Sequence, residues 1–218
     1  MTAVSAPDVL ERIVACGVLP VVELGTVDQA EPLLEALARG GLPAAEITLR
    51  TPAGLEAIGV LRRSHPEALV GAGTVRSPLE ARRALDEGAQ FVVSPGTDLE
   101  IVELCRAAGV PAVPGVCTPT EVQAALRAGV DLLKFFPAEA MGGVAFLKAL
   151  SGPFRDVRFV PTGGIGPANL SAYLGLPSVA ACGGSWLSSP ALLAERRFDR
   201  VEELAREAVA VVAAVRGG

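Results

Sequence analysis

Eight short apolar runs, each followed by a longer amphipathic stretch, alternate along the whole chain, and few folds accommodate that pattern. The runs read as strands over 18–24, 44–49, 69–74, 91–95, 111–115, 131–136, 158–163 and 179–184. The spacing of apolar residues predicts helices over 27–39, 53–64, 77–87, 98–108, 119–128, 142–150, 167–174 and 199–215, with one more before the first strand at about 6–16. Capping residues with an early proline mark several helix starts, as at Thr51-Pro52, Ser77-Pro78 and Thr118-Pro119 with Glu121. Glycine follows several helix ends: Gly40-Gly41, Gly88, Gly109 and Gly129.

Strands alternating with helices form parallel βαβ units. Strands buried on both faces read as near-continuous hydrophobic runs, as these do. Eight such units in 218 residues, with no Pro/Ser/Gly linker between them, imply an α/β fold in one domain over 1–218. The architecture expected is a (β/α)8 TIM barrel with an extra N-terminal helix. A doubly wound open sheet is the alternative. It usually shows a glycine-rich turn after its first strand, and Val21-Val22-Glu23-Leu24-Gly25-Thr26 contains no G-x-G-x-x-G.

Composition removes several classes of function. Net charge is -5 and no Lys/Arg-rich tract exists, which argues against a nucleic-acid partner. No stretch approaches the roughly 18 apolar residues of a membrane span. The N-terminus lacks a basic region ahead of an apolar one, so no signal peptide is read. Cys16, Cys105, Cys117 and Cys182 are scattered without a C-x-x-C pair, which suits reduced thiols in a cytoplasm. The single histidine, His65, reads as a surface loop residue in SHPE, and one histidine excludes a multi-histidine metal site.

Two of the nineteen basic residues are lysines, Lys134 and Lys148. Lys134 stands inside the apolar run DLLKFF, whereas Lys148 lies in the helical FLKAL. Strand alternation groups Leu132, Lys134 and Phe136, and likewise Glu46, Thr48 and Arg50. The same parity groups Val70, Ala72 and Thr74, and pairs Val160 with Thr162. In the expected barrel these polar residues converge at the C-terminal strand ends, where active sites lie. A structural ion pair is the alternative reading of Glu46 and Lys134, and Glu23, ending the first strand, is a further candidate carboxylate. The chemical alternative explains more. An apolar setting favours the neutral amine of a lysine, the form that attacks a carbonyl to make a Schiff base, and a carboxylate beside it can carry protons.

The last two strands end in glycine pairs, Pro161-Thr162-Gly163-Gly164-Ile165 and Cys182-Gly183-Gly184-Ser185-Trp186. Barrels frequently hold a phosphate in the loops after strands seven and eight.

The strings GVLPVV, EITLRTP, VGAGTV, VVSPG, PGVCTPTE, LKFFPAEAMGG, FVPTGGIGPAN and GGSWL run in the order and spacing of one family. Over roughly residues 10–215 the chain resembles the bacterial 2-keto-3-deoxy-6-phosphogluconate (KDPG) aldolases. The resemblance implies a class I aldolase on a (β/α)8 barrel, assembled as a homotrimer, needing no cofactor and no metal. It implies Lys134 as the Schiff-base lysine and Glu46 as the general acid–base. Arg50 and Thr74 would hold the pyruvyl carboxylate, Pro95 and Phe136 would line the pocket, and Thr162 would influence stereochemistry and substrate choice. Gly163, Gly164, Gly184 and Ser185 would cradle the phosphate. Gly166 replaces the serine common in relatives, and Glu23 matches no functional position.

The activity expected is reversible cleavage of a keto-acid phosphate, KDPG, to pyruvate and glyceraldehyde 3-phosphate. Cleavage of 4-hydroxy-2-oxoglutarate or of 2-keto-3-deoxy-6-phosphogalactonate would use the same lysine. A non-catalytic barrel that binds a phosphorylated ligand is the alternative outside enzymes.

Overall fold

The computed structural model describes residues 5–217. Among them, helix α1 (Ala6–Cys16) leads into strand β1 (Val18–Val22), then α2 (Ala30–Arg39), β2 (Ala44–Thr48), α3 (Pro52–Ser64) and β3 (Leu69–Gly73). The chain continues through α4 (Pro78–Asp86), β4 (Val92–Val93), α5 (Leu99–Ala107), β5 (Ala112–Val113), β6 (Gly115–Val116) and α6 (Pro119–Arg127). It ends with β7 (Leu132–Phe135), α7 (Gly143–Ser151), β8 (Arg158–Pro161), α8 (Leu170–Leu174), β9 (Cys182–Gly184), α9 (Pro190–Ala194) and α10 (Phe198–Arg216).

Local chemistry sets these limits. Ser5 caps α1 through the Asp8 backbone N–H while the Asp8 carboxylate accepts from the Ser5 backbone, closing a capping box. Thr118 and Glu121 do the same for α6. Ser77 caps α4 and Asp98 caps α5. Thr51 departs from the expected pattern: its hydroxyl makes no cap bond and donates instead to the Leu24 carbonyl at 2.7 Å, tying α3 to the end of β1.

The architecture is α/β with a curled parallel sheet. One ladder runs β5-β4-β3-β2-β1-β9 and the other β6-β7-β8. β5 and β6 are separated only by Pro114, which has no N–H to donate. Single parallel bridges, Phe159 with Val179 and Thr162 with Gly183, join the β8 segment to the β9 segment.

Apolar residues divide into two layers on opposite faces of the sheet. Ile47, Val70, Ala72, Val92, Leu133, Phe135 and Phe159 pack outward against the helices. Leu19, Ala44, Leu69, Phe91, Val93, Val113, Leu132 and Val160 face inward, and α1 contributes Val9 and Ile13 to them. These inward residues stand mostly at the beginnings of their strands. Toward the C-terminal ends, Glu46 on β2 and Lys134 on β7 share the inward face with Gly71, Gly73 and Gly115.

That division corrects one reading from alternation. Val70 and Ala72 belong to the outward layer, so on β3 it is Leu69, Gly71 and Gly73 that have inward parity. Thr74 lies just past the strand with φ 57°. Its left-handed backbone breaks the two-residue period, and counting back from it gives the wrong face.

Candidate active site

Lys134 is the third residue of β7, two after the inward Leu132, and Glu46 is two after the inward Ala44 on β2. Strand parity therefore turns both side chains inward. Lys134 Nζ donates to Glu46 Oε1 at 3.3 Å, with Lys134 4% and Glu46 1% exposed. Lys134 is flanked across the ladders by Gly115 and Val160, and its Nζ lies 5.3 Å from the centre of the Phe136 ring. A proton moved along the Nζ–Oε1 line leaves a neutral amine facing a carboxylic acid. The amine can attack a carbonyl carbon, and the acid can protonate the oxygen that results.

The room for this pair comes from residues without side chains. A Cβ on Gly73 would run into the Glu46 carboxylate, and one on Gly71 would meet the Phe91 ring. Gly115, beside Lys134, packs so closely on the Pro95 carbonyl that a Cβ there would overlap it. Sequence reasoning treated Gly71 and Gly73 only as parts of a strand. The available signal was two glycines spaced i, i+2 on one strand face, which marks close approach by a neighbour.

A second group forms the rim. Arg50 follows β2 and is half exposed. Its Nε donates to Thr74 Oγ1 at 3.2 Å, and its Nη1 lies 3.3 Å from Glu23 Oε2. Thr48, two residues before Arg50, donates from its buried hydroxyl to the Val22 carbonyl at 3.0 Å, bracing β2 on β1. Pro95 follows β4, where Ser94 Oγ donates to the Gly96 carbonyl at 2.7 Å and Thr97 Oγ1 to the Gly115 carbonyl at 3.0 Å. Those bonds fix the Pro95 turn against the β6 strand that flanks Lys134.

Thr162 is buried just past β8, its hydroxyl donating to the Val160 carbonyl at 3.3 Å. Gly183 leaves the space that this side chain fills. Gly163 and Gly164 follow with φ 100° and 79°, values that a residue with a Cβ rarely adopts. Their carbonyls are engaged inside the protein, Gly163 by the Glu139 N–H at 3.1 Å and Gly164 by Asn169 Nδ2 at 3.1 Å. Asn169 Oδ1 also accepts from the Gly166 N–H at 2.9 Å, so one amide side chain straps the whole turn. Behind it, the Tyr173 hydroxyl donates to the Glu139 carboxylate. Burial, and then that carboxylate, raise the Tyr173 phenol above its ordinary range, keeping it a donor. Gly184 lies against the Trp186 ring, and Ser185 is exposed at the start of a short 3-10 turn over Trp186–Ser188.

The two remaining residues singled out from sequence lie elsewhere. Lys148 is exposed in the last turn of α7, and His65 ends α3 ahead of β3, at the other end of the sheet from Glu46. Among the described residues, no three or more His, Cys, Asp or Glu side chains gather as a metal site would require. Among them, too, no helix is long and apolar enough to cross a membrane. A cavity of about 210 Å³ between α1 and the starts of β5 and β7, lined by Leu10, Val102, Arg106, Pro111, Asp131 and Leu132, includes none of the site residues. That cavity lies apart from the Lys134–Glu46 pair.

Comparison with known proteins identifies the family. A family model described as KDPG and KHG aldolase matches residues 9–204. The 2-dehydro-3-deoxy-phosphogluconate aldolase of Treponema pallidum is 44% identical over 205 residues, which cover 94% of this chain and 96% of that protein. A solved KDPG aldolase from Legionella pneumophila, with pyruvate captured at low pH as a covalent carbinolamine intermediate, matches with a TM-score of 0.88. The two are 38% identical, over 91% of this chain and 96% of that one. The KDPG aldolase of Zymomonas mobilis, solved with 3-phosphoglycerate, matches with a TM-score of 0.87 at 38% identity, over 95% of this chain and 97% of that one.

Proposed function

The chain belongs to the KDPG and KHG aldolase family, and from that premise we propose that it is a class I aldolase cleaving KDPG reversibly to pyruvate and glyceraldehyde 3-phosphate. The observation that carries the proposal is the buried Lys134–Glu46 pair at 3.3 Å. An ion pair buried on both sides is a poor device for stability alone, because desolvation offsets the attraction. A nucleophile with its own proton carrier accounts for it.

In the proposed reaction the Lys134 amine adds to the C2 ketone and forms a carbinolamine. Loss of water, with the proton supplied through Glu46, gives an iminium ion. The C4 hydroxyl then gives up its proton, its O–H electrons form the aldehyde carbonyl, and the C3–C4 pair flows into the iminium as an enamine. Glyceraldehyde 3-phosphate leaves. Protonation of the enamine at C3 and hydrolysis of the pyruvyl imine release pyruvate and regenerate the amine. The electron sink is the lysine adduct itself, so the reaction calls for neither cofactor nor metal.

The other assignments follow from the resemblance and the placement of the residues. Arg50 and Thr74 are proposed to receive the pyruvyl carboxylate, Pro95 and Phe136 to line the pocket, and Thr162 to guide substrate choice. Gly163, Gly164, Gly184 and Ser185 are proposed to hold the phosphate. A single domain closed as a full (β/α)8 barrel is proposed too. It is supported by the bridges between the β8 and β9 segments and by the mere proline that separates the two ladders at β5 and β6. Assembly as a homotrimer rests on the family, and a cytoplasmic site is consistent with four free cysteines.

Borohydride reduction in the presence of pyruvate, followed by peptide mass analysis, tests the mechanism. The pyruvyl label is expected on Lys134 and not on Lys148. A label on Lys148, or none, overturns the Schiff-base assignment.

A further inference from the structure

Glu23 is the charged side chain at the rim to which the proposed chemistry gives no task. It follows β1 with the same parity as Leu19 of the inward layer, and its side chain is 39% exposed. Its Oε2 lies 3.3 Å from Arg50 Nη1, while Arg50 Nε donates to Thr74 Oγ1 at 3.2 Å. The guanidinium is thus gripped at two of its three nitrogens by residues from two other strands. Three N–H donors remain, two on Nη2 and one on Nη1.

An arginine side chain that is 49% exposed has many rotamers, and a ligand that must order it binds more weakly for doing so. Thr74 alone does not fix the guanidinium plane, because one hydrogen bond leaves it free to rotate about the Nε contact. A second contact, from the opposite side of the β2 end, removes that rotation. We infer that Glu23 is a positioning residue, holding the Arg50 guanidinium against Thr74 in the orientation that receives the substrate carboxylate. This rests on the assignment of Arg50 to that carboxylate.

Glu23 also has an opposite effect, since its negative charge repels an incoming carboxylate. Positioning is taken to outweigh it, because Glu23 touches Arg50 directly at 3.3 Å, a separation at which salt screens least. The two effects separate on substitution. Glutamine keeps an oxygen for Arg50 Nη1 and removes the charge, whereas alanine removes both.

The test uses pyruvate and borohydride, reading the pyruvate concentration that gives half-maximal labelling of Lys134. Glu23→Ala is expected to raise it by about two- to fivefold, the range of a partly exposed ion pair, with the labelling rate at saturating pyruvate changed far less. Glu23→Gln should restore the wild-type value or improve on it. Arg50→Gln should raise it more, and adding Glu23→Ala to Arg50→Gln should cause no further loss, because Glu23 helps binding only through Arg50. If Arg50→Gln is impaired while Glu23→Ala is not, the positioning role is overturned and the reading of Arg50 stands. An added loss in the double variant overturns it too, since Glu23 would then act on the ligand directly. Unaltered half-saturation in Arg50→Gln overturns the assignment of Arg50 and the inference together.

Discussion

The carboxylate of Glu46 occupies the space that a side chain at Gly73 would need, on the strand next to its own. Replacing Gly73 by alanine therefore pushes directly on the proposed proton carrier. Alanine would stiffen the unfolded chain, worth about 0.4–1 kcal/mol in favour of folding, but overpacking costs about 1–3 kcal/mol, so the net effect is destabilising. Turnover should fall by roughly 10²-fold, the loss expected when a catalytic group is displaced by about 1 Å. Steady-state kinetics and a thermal melt read the two effects separately.

Glu46→Gln keeps the size of the side chain and removes its ability to carry a proton. Turnover should fall by roughly 10²-fold or more, the usual contribution of a general acid–base. The circular dichroism spectrum should stay native-like and the pH–rate profile should lose a limb. A fully active variant would shift the proton-carrying role to another group, with Glu23 the first to examine.

The glycine loops after β8 and β9 predict a preference for the phosphorylated substrate. Binding far from the C3–C4 bond can be spent on orienting it, so 2-keto-3-deoxygluconate without phosphate should lose much of kcat/KM. Ser185→Ala should cost about 1.5 kcal/mol, the low end for a hydrogen bond to a charged group, since Ser185 is exposed. The loss should appear with the phosphorylated substrate only. Equal losses with both substrates would remove Ser185 from the phosphate site.

Acid stability should report on the cap of α6. Burial raises the Glu121 carboxyl, but hydrogen bonds from the Cys117 and Thr118 backbone N–H groups and from their side chains outweigh it, so the group titrates below its ordinary 4.5. A lowered folded value stabilises the native state once the pH is above the unfolded value, and that contribution disappears as pH falls through the folded one. Wild type should therefore be more stable than Glu121→Gln above about pH 4.5, and the gap should close at lower pH. Urea midpoints measured between neutrality and acid check this.

Most helix limits were legible where capping chemistry coincides with an apolar period. The helix expected at 6–16 is α1, and Ser77-Pro78 and Thr118-Pro119 open α4 and α6 where capping chemistry puts them. α9 was missed because five residues are too few to show a period, although Ser189-Pro190 is a start signal. The helix expected from 167 begins at Leu170, since Asn169 spends its side chain on the Gly164–Gly166 turn instead of extending a helix through it. Parity brought Lys134 and Glu46 together because each follows an inward apolar residue by two positions. It failed at Val70 and Ala72, where the positive φ of Thr74 falsified the count. The role of Gly73 was illegible for another reason. What fills its missing side chain comes from a different strand, and one strand's pattern carries no trace of its neighbour's reach.

Helix α1 lays Val9 and Ile13 across the strand beginnings, against the inward layer beneath Lys134. In the closed barrel proposed above, that cover leaves the C-terminal strand ends as the approach to Lys134, and traffic through a single approach must queue. Pyruvate, which has to reach the lysine, must enter ahead of the aldehyde when a carbon–carbon bond is made, and must leave after it when the bond is broken. An aldehyde phosphate that enters first stands in the doorway. At high concentration it should slow the condensation that consumes it, and more pyruvate should relieve the blockage.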